Sequence, residues 1–91
     1  MPRVHVPRAL REHTGGKVEI ELPGRTVGEL IDALEERHPG IKARLVSDET
    51  THGLRPGLAI WLDGHDLATG VRTKVPEDSI VYFVPAQAGG G

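Results

Sequence analysis

The chain has no cysteine among its 91 residues. That absence excludes a disulfide framework, a cysteine-ligated zinc or iron–sulfur site, a thiol nucleophile and a persulfide carried on a side chain. Any sulfur chemistry has to use another atom. Aromatic residues are scarce as well, with Trp61, Tyr82 and Phe83 the only three. No apolar run approaches the roughly 18 residues of a membrane-crossing helix. The opening "MPRVHVPRALREHTGG" contains no apolar segment that could serve as a signal-peptide core, so a cytoplasmic protein is expected. Charge of either sign is not concentrated: Lys and Arg number 11, Asp and Glu 13, and the net charge is −2. This balance gives no electrostatic reason to expect nucleic acid or a membrane surface as a partner.

What remains is enough for one domain and too little for two cores, since a chain of this size buries roughly 60 to 70% of its unfolded surface. "RVHV" (3–6) and "KVEIEL" (17–22) are β-rich, and the second alternates Val18, Ile20 and Leu22 with Lys17, Glu19 and Glu21. With "TGG" at 14–16 between them, they predict a hairpin with a longish loop. "PGRTVGELIDALEERHPG" (23–40) predicts a helix. Thr26 caps it with Glu29 three residues on, His38-Pro39-Gly40 stops it, and Val27, Leu30, Ile31 and Leu34 form one apolar stripe. Residues 41–57 predict a short helical turn and then coil, with Ile41, Leu45 and Leu54 as core plugs.

"LAIWLDGHDL" (58–67) puts Asp63-Gly64 between apolar stretches and predicts a second hairpin. A turn at Pro76–Ser79 leads to a last strand, Ile80–Val84, which Pro85 should end. The order strand, strand, helix, irregular stretch, hairpin, strand defines an α+β domain, and the right-handed crossover rule places the last strand beside the first. Alternation sends Ile60, Leu62, Val81 and Phe83 inward and leaves Trp61 and Tyr82 on the open face as a docking patch. The alternative is that Trp61 belongs to the core or packs under a loop.

Candidate chemistry is sparse. The histidines at 5, 13, 38, 52 and 65 form no H-x-x-x-H pair, and they read as surface or loop residues. His65 with Asp63 and Asp66 forms a turn that binds a cation at most weakly. Glu35 and Glu36 point about 100° apart on a helix and do not converge on a substrate. The glycines at 15, 16, 24 and 28 make no P-loop. No metal site is expected. The terminus "VPAQAGGG" stands out, because glycine lacks a Cβ and a run of it can thread a slot too narrow for side chains. Its α-carboxylate, with a reference pKa of about 3.5, is ionised at neutral pH. Taken alone, the tail is either this nucleophile on an arm or a frayed end.

The element order, the closing strand "YFVP" and the terminus "AGGG" together resemble the ubiquitin-like β-grasp sulfur carriers. This is the MoaD/ThiS family of the molybdopterin synthase small subunit and the thiamine sulfur carrier. Residues 10–45 look like the branch that serves protein-dependent cysteine synthesis. The resemblance implies a β-grasp of four to five strands on one main helix over residues 1–85, with a flexible tail over 86–91. It implies a protein co-substrate rather than an enzyme. Its carboxylate is adenylated by an activating enzyme that uses ATP and Mg²⁺, and is then converted to a thiocarboxylate. An acceptor enzyme, such as a cysteine synthase or a thiazole-synthase-like thiosugar synthase, takes the sulfur. Gly91 would be the sulfur-carrying terminus, or Gly90 if one residue is trimmed, since the family's usual end has two glycines and this one has three. Ala88, Gly89 and Gly90 would thread the partner's active site, and Trp61 and Tyr82 would form the docking face. Two other readings share the same residues: a ubiquitin-like modifier joined to lysines, and a non-covalent interaction domain with an inert tail.

Overall fold

The computed structural model describes residues 1–85 except 52, 64, 65 and 69, with the main chain only for 66–68 and 85. The first strand, β1 (Arg3–His5), pairs antiparallel with β2 (Glu19–Glu21), so the first hairpin forms; Ile20 and Leu22 are buried as the alternation predicts, whereas Val18 lies before the strand and is exposed. The long loop between them is not plain coil. It winds into a 3-10 helix over Arg8–Thr14. The Thr14 hydroxyl is buried and lies 3.1 Å from the Arg11 carbonyl and 3.0 Å from that of Lys17, while Gly15 takes the left-handed conformation that closes the turn.

The main helix, α1 (Val27–Arg37), begins where the sequence signals it. The Thr26 hydroxyl accepts from the Glu29 N–H at 3.1 Å, and the Glu29 carboxylate reaches back to accept from the Arg25 N–H at 2.8 Å. Val27, Leu30, Ile31 and Leu34 are all buried, and Ala33 joins them. After the helix, a 3-10 turn over Lys42–Arg44 carries Ile41 and Leu45 into the core, with Leu54 following from the loop.

Glu35 fastens this turn to the helix. Its carboxylate accepts from the N–H groups of Gly40, at 2.9 Å, and Lys42, at 2.8 Å. These two bonds hold its pKa below the ordinary 4.5, with the nearby Lys42 charge adding to them against a partial desolvation. Because the folded pKa is the lower one, the stabilisation is present above the unfolded value and is lost as pH falls through the folded value. Glu35→Gln should therefore lower the melting temperature at neutral pH. Thermal melts on a descending pH series should show the gap to wild type narrowing below about pH 4.5, the ordinary carboxylate value. A gap that stays constant through the acid range would mean the charge is not what holds the turn.

The second hairpin, β3 (Leu58–Leu62) and β4 (Asp66–Ala68), pairs Leu62 with Asp66 across the turn. The last strand, β5 (Ile80–Pro85), runs parallel to β1 and antiparallel to β3. It extends one residue beyond the expected end: Pro85 sits opposite Leu58 and is the strand's final position, which tolerates its missing N–H. The sheet is five-stranded in the order β2-β1-β5-β3-β4, so the last strand to be made is the central one. Helix α1 covers one face, and the apolar core of the described residues runs from Val4 to Phe83. No described helix is long and apolar enough to cross a membrane.

Candidate functional site

Strand β5 determines both which side chains the open face of the sheet exposes and where residues 86–91 begin. Its residues alternate: Val81 and Phe83 are buried under the helix, while Ile80, Tyr82 and Val84 are partly exposed on the other face. On β3, Ile60 and Leu62 are buried, and Ala59 and Trp61 share the open face. The alternative in which Trp61 belongs to the core does not hold. The register then adds what alternation cannot give. Trp61 lies directly opposite Tyr82, and Tyr82 lies beside His5 on its other flank, with ring centroids of Tyr82 and His5 5.1 Å apart. His5 in turn faces Glu19, and Glu19 is held by Arg3 through a 3.0 Å ion pair. One row thus crosses the sheet from charge to aromatic surface. Ile80, Val84 and Ala59 flank the aromatic half.

Among the sequence-level candidates, the structure brings Trp61 and Tyr82 together as a cross-strand pair and adds His5 to them. Ala88, Gly89, Gly90 and Gly91 lie outside the described residues, as do His52 and His65. In the turn, Asp63 serves the fold, while His65 and the Asp66 side chain lie outside the described residues. Asp63 has a left-handed φ of 55°, and its carboxylate accepts from the Ser79 hydroxyl and from the Ile80 N–H, each at 2.9 Å. Those bonds fix the start of β5. No group of three potential ligands able to hold a metal occurs among the described residues.

The end of β5 is also defined by its neighbours. The parallel strand β1 leaves the sheet at the same end, through Pro7 into the Arg8–Thr14 helix, and the antiparallel strand β3 enters there from Arg55-Pro56-Gly57. A groove of about 780 Å³ lined by Met1, Pro23, Arg25, Lys74 and Glu77 lies at the opposite end, where β1 and β5 begin. It is therefore remote from the chain's exit.

A mixed sheet of this order, with the last strand central and one helix laid across it, is the ubiquitin-like β-grasp, and in this chain it launches a glycine-ended tail from its middle strand. The chain belongs to the ThiS family, whose profile matches residues 4–90. It is 33% identical over 89 residues to the sulfur carrier protein CysO of Mycobacterium bovis and of Mycobacterium tuberculosis, covering 96% of each chain. Among solved structures, it resembles a chain of the Amycolatopsis orientalis BexX/CysO complex, with 36% identity and a TM-score of 0.84 over 98% of this chain and 99% of that one. Mycobacterium tuberculosis CysO gives the same TM-score at 28% identity, over 94% and 99%. The small archaeal modifier protein SAMP1 of Methanosarcina acetivorans shares the fold, with a TM-score of 0.75 at 20% identity over 97% and 94%. These relationships support a sulfur-carrier role. Such a carrier is a co-substrate of other enzymes and not a catalyst itself.

Proposed function

We propose that this chain is a cytoplasmic sulfur carrier whose C-terminal carboxylate is loaded as a thiocarboxylate. The observation that carries the reading is the family match through residue 90, on a chain that has six residues beyond its central strand and ends in three glycines. A terminal carboxylate oxygen attacks the α-phosphate of ATP and pyrophosphate leaves, giving an acyl-adenylate. Sulfide then attacks the carbonyl carbon, AMP departs, and the terminus holds sulfur in place of one oxygen. Activation divides a difficult acyl substitution into two easier ones. ATP and Mg²⁺ belong to the activating enzyme, and this chain binds no cofactor of its own. A slot closed around bare glycine keeps water from the adenylate.

Gly91 is the carrying atom's residue in this reading, with Gly90 taking over if one residue is removed, and Ala88, Gly89 and Gly90 line the threaded stretch. The activating enzyme docks on the open face around Trp61 and Tyr82. The acceptor is a biosynthetic enzyme of the cysteine-synthase or thiazole-synthase-like type. The similarity to CysO, including one solved in complex with BexX, supports a protein acceptor.

Incubation with the activating enzyme, ATP and a sulfide source should raise the intact mass by one oxygen-for-sulfur exchange, mapped to the last residue by fragmentation. No exchange under conditions where the enzyme hydrolyses ATP in the carrier's presence would defeat the reading. In the same assay, Trp61→Ala should raise KM for the carrier about tenfold, the size of a truncated aromatic anchor, with kcat unchanged. An unaltered KM would remove Trp61 from the docking face.

A further inference from the structure

The end of the sheet from which the tail departs has a charge unlike that of the rest of the chain. Within residues 6–18 and 55–57, which flank the exit of β5, Arg8, Arg11, Lys17 and Arg55 are opposed by one acid, Glu12, whereas the whole chain carries −2. Two of these cations are braced by main-chain carbonyls and not by carboxylates: Arg11 Nε donates to the Val6 carbonyl at 3.1 Å, and an Arg55 terminal nitrogen to that of Ala43 at 3.2 Å. Their positions are fixed, and among the described residues neither is in an ion pair. Elsewhere Arg3 and Lys42 are paired with Glu19 and Asp32, and Arg25, Arg37, Arg44, Arg72 and Lys74 are in no ion pair among the described residues, so what sets the exit apart is its near lack of acids. The helix presents Glu36 to solvent, with Asp32 on the same helix paired to Lys42.

We infer that this basic collar docks on an acidic protein rim surrounding the entrance to the activating enzyme's nucleotide site, and that it orients the carrier so that the tail enters first. The inference rests on the sulfur-carrier reading. Six residues threaded in extended form span at most roughly 20 Å, which keeps the collar at the mouth of the slot and away from the nucleotide phosphates at its bottom. The complementary group is therefore carboxylate on the partner's outer surface. The charge asymmetry supplies direction as well as attraction: an acidic rim repels the helix face and attracts the collar, an effect expressed mainly in the association rate and its salt dependence.

The test measures KM and kcat for the full-length carrier in pyrophosphate release by the activating enzyme, from about 50 to about 500 mM salt. Wild-type KM should rise with salt while kcat holds. Arg8→Glu combined with Arg55→Glu should raise KM about tenfold at low salt and flatten the salt dependence, with kcat unchanged, and Arg8→Lys should behave as wild type. Arg8 is exposed and its side chain makes no hydrogen bond to described residues, so Arg8→Glu alone decides the matter if circular dichroism shows the double variant unfolded. A wild-type KM in the charge-reversed carrier, with Trp61→Ala still impaired, would overturn the collar and leave the carrier reading standing. A wild-type chain that is never adenylated would overturn both.

Discussion

Deleting Gly90 and Gly91 should abolish sulfur loading completely and leave the melting temperature unchanged. The two halves of this expectation come from different parts of the chain. Among the described residues, every buried apolar side chain of the core lies between Val4 and Phe83, and the last ladder pair is Leu58 with Pro85. None of these core contacts is removed by the deletion. Chemically, however, the deletion moves the carboxylate two residues closer to the domain, a retreat of roughly 7 Å in an extended tail. Catalytic positioning fails over far smaller displacements, since a misplacement of about 1 Å can cost a hundredfold in rate. The collar and the Trp61 face would still dock, so the truncated protein should inhibit loading of the full-length carrier competitively. Intact-mass detection of thiocarboxylate, alongside a thermal melt, measures both halves. Loading that persists would mean the glycines are not the chemical end of the molecule, and an inert tail on an interaction domain would then be the better account.

Helix α1 was legible because its signals are local: a Thr26–Glu29 cap and an i, i+3, i+4, i+7 stripe are read within a few turns of chain, and the structure places each as expected. The inward set Ile60, Leu62, Val81 and Phe83 was legible for the same reason, because alternation is a local property. The Arg8–Thr14 helix was not. Its sequence lacks an apolar stripe, and it is held by bonds to the hairpin it closes, from Arg11 to Val6 and from Thr14 to the carbonyls on either side. The strand that includes Pro85 was missed by one residue, since the rule against proline concerns a lost donor and the last position of a strand need not have one. His5 beside Tyr82 depends on pairing strands from opposite ends of the chain, which no periodicity specifies. The collar has the same origin: Arg8 and Arg55 are distant in sequence and become neighbours of the exit only through the order β1-β5-β3. What alternation can say about a sheet is which face a residue takes, and what it cannot say is which residues of other strands share that face.

The adjacent residues Tyr82 and Phe83 should therefore give opposite phenotypes when each is changed to alanine. Phe83 is 3% exposed and lies in the central strand, opposite Ile60 and under α1. Its truncation removes the transfer free energy of the ring and leaves a cavity, a combined cost of about 3 to 5 kcal/mol for a buried phenylalanine. Small domains hold only about 5 to 15 kcal/mol in total, so Phe83→Ala should lose a large fraction of its stability and unfold at a much lower urea concentration, with any loss of loading following the loss of folded protein. Tyr82 points the other way, onto the open face between His5 and Trp61. Tyr82→Ala gives up only half-exposed contacts, worth about 0.5 to 1.5 kcal/mol for an aromatic pair. It should melt within a few degrees of wild type and yet require several-fold more carrier to saturate the activating enzyme. Urea unfolding and the dependence of loading on carrier concentration separate the two effects. If Tyr82→Ala unfolded as readily as Phe83→Ala, the open face would be part of what holds the fold together and could not be assigned to a partner. If Phe83→Ala unfolded at the same urea concentration as wild type, the ring would not be part of the core that the central strand builds between β1 and β3.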